Sequence, residues 1–324
     1  MTSETMHAVV TVGGEPVDRT VPAPNPEPRD LLVRVEAVSV NPVDVKTARN
    51  AADGRILGFD AAGTVVAVGA EVTRFAVGDE VYYCGDYTRP GANADLHAVD
   101  ERLVGHKPAS LSFAQAAAMP LTTLTAAEAL FDHLGATAST TGTLLVIGAS
   151  GGVGSILVQL ARQLTGLRVI GTASRPETRE WVAGLGAHDV VDHRDLAASV
   201  RAVAPDGVDA IISAYTPEDL QVFADLLRPW GHVVAIDGAH HDVAALKPKS
   251  QAFHWEYVFA RAAHRMPDMG RQGELLEQVA AELDAGRLRG TATRLVEGLT
   301  ASGLREAHEL VGSGRMIGKL VVTR

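Results

Sequence analysis

The chain reads as an α/β protein built around a doubly wound parallel sheet, and three observations carry that reading. From about Pro120 onward, short apolar runs alternate with amphipathic stretches of helical period. One junction holds a glycine loop, Leu145-Val-Ile-Gly-Ala-Ser-Gly-Gly-Val-Gly-Ser155, between a strand-like run and a helix-like one. The first third is instead β-rich, and 324 residues suit about two domains.

The β-rich part begins with Leu32–Val38, where Val33, Val35 and Ala37 alternate with Arg34 and Glu36 at the period of a half-buried strand. Gly63–Gly69, Val81–Tyr83 and Leu96–Leu103 read as further strands, with a turn at Gly78-Asp79-Glu80. Prolines at 22, 24, 26 and 28 mark an extended surface connector. Leu124, Ala127, Leu130 or Phe131, and Leu134 share a helical face that Gly135 terminates. Thr143–Gly148 is a buried strand run, and Val153, Ile156, Leu157, Leu160 and Leu164 line the next helix. Arg168–Thr172, a helix over 177–185, Val208–Ile212 and His232–Ile236 continue the alternation. Helices near 274–285 and 304–311 precede a closing strand, Lys319–Thr323.

Composition excludes several classes. Hydrophobic residues make up 46% and charged residues 21%, enough apolar material for two cores and too much for a disordered chain. A formal charge of −10, with no dense basic run, argues against nucleic acid as a partner. The lone Cys84 rules out an internal disulfide and a multi-thiolate zinc site, and suits a reducing compartment. The N-terminus lacks the pattern of a signal peptide, and no apolar run has the length of a membrane span. The expectation is a cytoplasmic protein with no membrane partner.

The glycine loop carries the first functional reading. Ala149-Ser150-Gly151-Gly152-Val153-Gly154 is a variant of the dinucleotide fingerprint, with Ala149 in the first glycine slot. Gly151 lets the backbone approach a pyrophosphate, and Gly154 lets the helix pack tightly on the sheet. The helix start then offers free N–H groups and a positive dipole end to the phosphates. An NAD site usually ends its second strand in an acid that bonds the ribose 2′-hydroxyl, whereas here Ala173 stands in that place. Ser174, Arg175 and Arg179 follow, a hydroxyl and two guanidiniums suited to a 2′-phosphate. NADPH is the expected cofactor; the alternative is that both arginines simply solvate a helix start.

Taken with Val38–Asp44, Leu57–Gly63, Val77–Val81, Met119–Ala126 and the terminal Gly318-Lys319, these motifs resemble the medium-chain dehydrogenase/reductase superfamily over nearly the whole chain. Within it the chain resembles the zinc-free quinone oxidoreductase branch. It is nearest a bacterial subgroup often labelled zinc-type alcohol dehydrogenase-like, marked by Lys247–Ser250 and Phe253–Glu256. The resemblance implies a GroES-like, partly open β-barrel from residues 1–118 completed by 265–324. A Rossmann domain over 119–264 holds NADPH, the active site lies in the cleft, and the protein forms a homodimer through the Rossmann sheet edge. Zinc members carry Cys where this chain has Asn41 and His where it has Phe59, so no metal ligand is expected. Hydride transfer to a quinone or an α,β-unsaturated carbonyl follows from the resemblance. The alternatives are an alcohol or carbonyl dehydrogenase with a nonstandard site, and an NADPH-binding protein with little catalysis.

Candidate site residues come from the same resemblance. Asn41 would donate to a substrate carbonyl or the nicotinamide ribose, or else be an Asn-Pro turn residue. Asp44 would bond substrate or cofactor, or cap a short helix starting at Val45. Lys46 replaces a tyrosine common in the branch and would either charge-stabilise an enolate or reach solvent. Thr122 and Thr125 approach nicotinamide and phosphate, and His193 takes the place of a phosphate-contacting tyrosine. Ile236, Asp237 and Gly238 pass under the nicotinamide through backbone atoms, and Phe253 and His254 close over it. Phe59 packs against the cleft floor, while Asp60 bonds neighbouring backbone or a Lys or Arg.

Overall fold

The computed structural model describes residues 4–324. The chain divides into two compact units, one running to Leu124 and resuming over Phe259–Arg324, the other spanning Thr125–Val258.

In the second unit six short strands form one parallel sheet: β1 (Thr141–Ile147), β2 (Gly166–Thr172), β3 (Asp189–Val191), β4 (Val208–Ser213), β5 (Leu227–Ala235) and β6 (Ala252–Trp255). Their order is β3-β2-β1-β4-β5-β6, and every pairing is parallel. The direction in which strands are added reverses between β1 and β4, which leaves a crevice outside the carboxyl end of β1. Leu145, Ile170, Ile211 and Val233, one from each of four neighbouring strands, are fully buried and hold the layers together. Each such side chain contributes roughly 1.5–3 kcal/mol by leaving water. The helix after β1, Gly152–Leu164, buries Ile156, Leu157 and Leu160 as its period requires.

The first unit holds a sheet in which Asp30–Val40 is central. On one side it pairs with Lys319–Thr323 and then Ala292–Glu297; on the other with Asp60–Val68, Glu80–Cys84 and Val104–His106. Leu96–Asp100 pairs with the first half of the central strand, antiparallel, from Asp30↔Asp100 to Arg34↔Leu96. Val33, Val35, Val38, Ala61, Val81, Val104 and Val322 form its core.

Several elements differ from the sequence reading. Residues 96–103 are not one strand: the Asp100 carboxylate accepts the Arg102 N–H at 2.9 Å and turns the chain into a short 3₁₀ segment, Glu101–Leu103. The helix read over 124–134 is Pro120–Ala127 followed by a π-helical turn, Glu128–His133. The proline-rich connector begins only after an antiparallel hairpin, Thr5–Val12 with Glu15–Pro22. Along the chain the first unit ends at Leu124 and the second at Val258; the family resemblance puts the domain boundaries at 118 and 264. Met119–Leu124 is held by the first unit, since the Leu121 N–H donates to Asp60 and Thr291 Oγ1 reaches Met119 Sδ.

Candidate functional site

At the carboxyl end of β1 the chain turns through Gly148, whose φ is +79°, and enters the helix at Gly152 with Gly151 as its N-cap. No side chain caps that N-cap position, so the first-turn N–H groups point outward without intrahelical acceptors. Gly154 is obligatory for a plain steric reason. A Cβ there would lie 2.3 Å from the Gly148 carbonyl oxygen and 2.5 Å from Ala149 Cα, both backbone atoms that cannot step aside. Ala149, Ser150 and Val153 complete the loop, and Ser150 O accepts from Ser155 Oγ at 3.4 Å, itself bonded at 2.8 Å by the Trp181 indole.

The other second-unit candidates divide by what their polar atoms already hold. Ala173 and Ser174 follow β2, and Arg175 is the N-cap of the helix Pro176–Gly184 with its guanidinium 3.2 Å from Glu177. Arg179 directs two guanidinium nitrogens at the Ala173 and Val190 carbonyls, at 3.2 and 2.7 Å. Those bonds tie the ends of β2 and β3 together, a structural use the sequence reading does not include. His193 is exposed on a single 3₁₀ turn. Thr125 is buried, and Ile236 extends β5 by donating its N–H to Ser213 O at 3.0 Å. The Asp237 carboxylate accepts from the Thr216 N–H at 2.5 Å and pairs with His241 at 3.1 Å, while Gly238 is exposed. Phe253 packs edge-on against Trp255 at 5.1 Å. His254 belongs to a row of imidazoles: its Nε2 lies 3.0 Å from His232 Nδ1, its ring stacks on His232 and sits near His133, and His133 bonds Glu256 at 2.9 Å. Burial and the neighbouring imidazole lower the His254 pKa, and the hydrogen bond to Glu256 raises that of His133.

In the first unit three strand ends converge. The central strand exits at Val40-Asn41, its neighbour enters at Asp60, and the C-terminal strand enters at Lys319, with Ser39↔Asp60 and Leu320↔Val40 in register. Gly318 turns Lys319 inward at φ +57°, in a position where a Cβ would meet the Thr291 carbonyl at 2.3 Å. All three side chains are buried, Asn41 at 2%, Asp60 at 0% and Lys319 at 4% exposure. The Lys319 ammonium donates to Asn41 Oδ1, to Asp60 Oδ2 at 3.1 Å and to the Val40 carbonyl at 3.4 Å. An ammonium has three donors and no acceptor, so this set uses it fully and fixes which way the Asn41 amide faces. Asn41 Nδ2 then donates to Asp60 Oδ2 at 2.8 Å and Ser39 O at 3.4 Å. The other Asp60 oxygen accepts the Leu121 N–H at 2.6 Å.

This network corrects two of the sequence expectations. Asn41 has no donor left over for a substrate carbonyl or a ribose. Asp44 does cap a short helix, but one that starts at Pro42 and not at Val45: it is the third helical residue, and its Oδ2 accepts the N–H of the N-cap residue Asn41 at 2.8 Å in a capping box. Burial pushes the Asp44 carboxyl up to about 7, with Lys319 and the Asn41 N–H opposing the shift. Its Oδ1 is buried and has no hydrogen-bond partner among the described residues. Lys46 sits exposed on the same helix and does not join the cluster. Thr122 donates its hydroxyl to Met119 O at 3.2 Å. Phe59 is 1% exposed between Phe259 and Tyr87, with ring centroids at 5.1 and 5.5 Å. The sequence expectation for Asp60, a bond to backbone and to a lysine, matches what the structure contains. Lys319 enters the sequence reading only as part of a motif. The signal for it is a lone lysine opening an apolar strand run, which burial makes costly without an acid.

An open glycine loop on a parallel sheet, together with a separate β unit, defines the class: a two-domain oxidoreductase that uses a nicotinamide cofactor. The chain belongs to the medium-chain dehydrogenase/reductase superfamily. Residues 27–128 match the alcohol dehydrogenase GroES-like domain, and residues 152–264 match the zinc-binding dehydrogenase family. A zinc-type alcohol dehydrogenase-like protein of Staphylococcus aureus is 41% identical over 92% of each chain. A crystal structure from Rhizobium etli that bears the name zinc-dependent alcohol dehydrogenase is 44% identical, with a TM-score of 0.94 over 100% of this chain and 99% of that one. A 2-methylene-furan-3-one reductase of Solanum lycopersicum is 33% identical over 69% of this chain and 58% of its own.

The residues fit one of the two groups those names imply. The uncapped helix start and the backbone cradle at Gly154 suit a nicotinamide dinucleotide. The zinc positions do not suit zinc: Asn41 and Phe59 replace thiolate and imidazole, and the single available carboxylate, Asp60, is already neutralised by an ammonium. Among the described residues no group of three His, Cys, Asp or Glu side chains has metal-binding geometry.

Proposed function

We propose that this oxidoreductase is a zinc-independent, NADPH-dependent reductase of quinones or α,β-unsaturated carbonyls. The observation that carries the reading is the donor set around Asp60. Alcohol oxidation in the zinc branch needs a Lewis acid to hold an alkoxide, and an amide, a phenyl ring and an ion-paired carboxylate supply none. Reduction of an electrophilic acceptor has no such requirement. The name of the tomato relative describes that chemistry, an exocyclic carbon–carbon double bond conjugated to a ketone.

When bound, the reduced nicotinamide supplies the hydride, leaving an enolate or hydroquinone anion that takes one proton. This chain's part is binding and orientation. The first-turn N–H groups after Gly151 hold the pyrophosphate, and Arg175 with Ser174 supports the 2′-phosphate, for which Ala173 leaves room. A homodimer formed along β6 is part of the proposal, supported by Trp255 and Tyr257, each 50% exposed along that edge. A cytoplasmic location is proposed from the lone cysteine; among the described residues no helix is long and apolar enough to cross a membrane.

The test is a panel of quinones and enones with NADPH, followed by loss of the reduced-nicotinamide absorbance. Turnover with at least one acceptor, unchanged by chelator, is expected. Absence of turnover with every acceptor, together with metal-dependent oxidation of alcohols, would overturn the proposal and favour the alcohol dehydrogenase reading that the relatives' names suggest.

A further inference from the structure

We infer that Lys319 is a built-in cation: its ammonium occupies an oxygen cage made by the Val40 carbonyl, the Asn41 amide oxygen and the Asp60 carboxylate, in place of a dissolved ion. The cage has the features of a cation site. Its three acceptors come from two adjacent strand ends, Val40-Asn41 and Asp60, and are buried, and the Asn41 amide and the Asp60 carboxylate are each oriented by a further contact. Ser39 O accepts from the Asn41 amide and Leu121 N–H donates to the carboxylate, so the oxygens converge without needing an ion to gather them. What stands at their centre is a charge covalently attached through the C-terminal strand.

The inference goes beyond the choice of acceptor and does not depend on it. A tethered cation cannot be chelated, exchanged or lost on dilution. It also predicts something that a merely well-packed lysine would not. Removing the side chain beyond Cβ leaves a slot of three carbons and one nitrogen, the size of n-propylammonium, and the empty cage should bind that ion.

The experiment compares the thermal midpoints of the full-length wild type, Lys319→Ala and Lys319→Met. Each variant is expected to melt on the order of 10 °C below wild type, because a buried carboxylate loses its partner. Millimolar n-propylammonium should restore much of the loss in Lys319→Ala in a saturable way, and 1-propanol should not. Should Lys319→Ala fail to fold, the pair Lys319→Met with Asp60→Asn keeps the test open: the double variant is expected to melt above Lys319→Met alone. Wild type after dialysis should contain less than about a tenth of an equivalent of zinc and melt unchanged in chelator. Equal rescue by propanol, additive losses in the double variant, or stoichiometric metal whose removal lowers the wild-type midpoint would each overturn the inference. All readouts are folding or metal content, so they decide the question even for a protein that reduces no acceptor.

Discussion

The two units treat charge in opposite ways. In the first, an ammonium, an amide and a carboxylate meet at three strand ends, and the contacts among them use every donor of Lys319 and Asn41. In the second, the helix after β1 begins with its N–H groups unmatched, and the loop before it is stripped of side chains where backbone must pass. A closed centre stabilises and shapes; an open one binds. A polar cluster is therefore not evidence of a ligand site until its donors have been counted.

The sharpest way to break this contrast is to close the open centre. Gly154→Val puts side-chain carbon into the Gly148 carbonyl, and a loss above about 4 kcal/mol in the second unit is expected, with nucleotide titration falling below detection. Binding at wild-type affinity would show that the loop is not where the dinucleotide sits. Opening the closed centre comes next. Lys319→Met should cost about 3–5 kcal/mol in denaturant unfolding, since one partner of a buried pair is left behind. A change within ~0.5 kcal/mol would mean that the pair contributes no net stability.

Two buried groups of the first unit test the contrast through pH. His97 is held to about 4 by burial, so the folded state carries fewer protons than the unfolded one below pH 6.5. Its contribution, about 3 kcal/mol, is present above the ordinary histidine value and is lost as pH falls toward 4. Asp44, raised to about 7, has the opposite sign: its contribution is full below the ordinary carboxylate value and is lost as pH rises through 7. In wild type the two slopes oppose each other across this interval. Asp44→Asn removes one of them, so between pH 7 and 4 the variant should lose about 3–4 kcal/mol more stability than wild type. Parallel stability curves for the two proteins would refute the assignment of Asp44. The smallest effect is at the rim of the open centre. Arg175→Ala should weaken NADPH by about tenfold, roughly 1.4 kcal/mol, with NADH unaffected. Equal loss for both cofactors would remove the 2′-phosphate role.

Much of the second unit could be read in the sequence because its strands are buried on both faces. Leu144–Ile147 and Ala210–Ile212 are continuous apolar runs, and the helix between β1 and β2 keeps a strict period. Edge elements are harder to see. Ala292–Glu297 shows mainly exposed side chains, so no alternation marks it, and Thr5–Val12 is identified as a strand only by its partner. The glycine loop is legible because steric necessity leaves glycines behind. The closed centre is not, because Asn41, Asp60 and Lys319 are far apart in sequence and only register brings them together. Arg179 illustrates the same limit: a guanidinium beside a phosphate loop suits a phosphate, and nothing local indicates that two carbonyls have taken it first.

The convergence of strand ends also sets an order of events during synthesis. Asp60 must wait for a partner 259 residues later in the chain, whereas the strands β1 to β6 all lie between them. A ribosome releasing the chain from its N-terminus therefore completes the inserted unit while the surrounding one still holds an unneutralised acid at its centre. The last strand to emerge is the one that seals it, and a chain truncated just short of Lys319 should populate a folded second unit attached to a first unit that never locks.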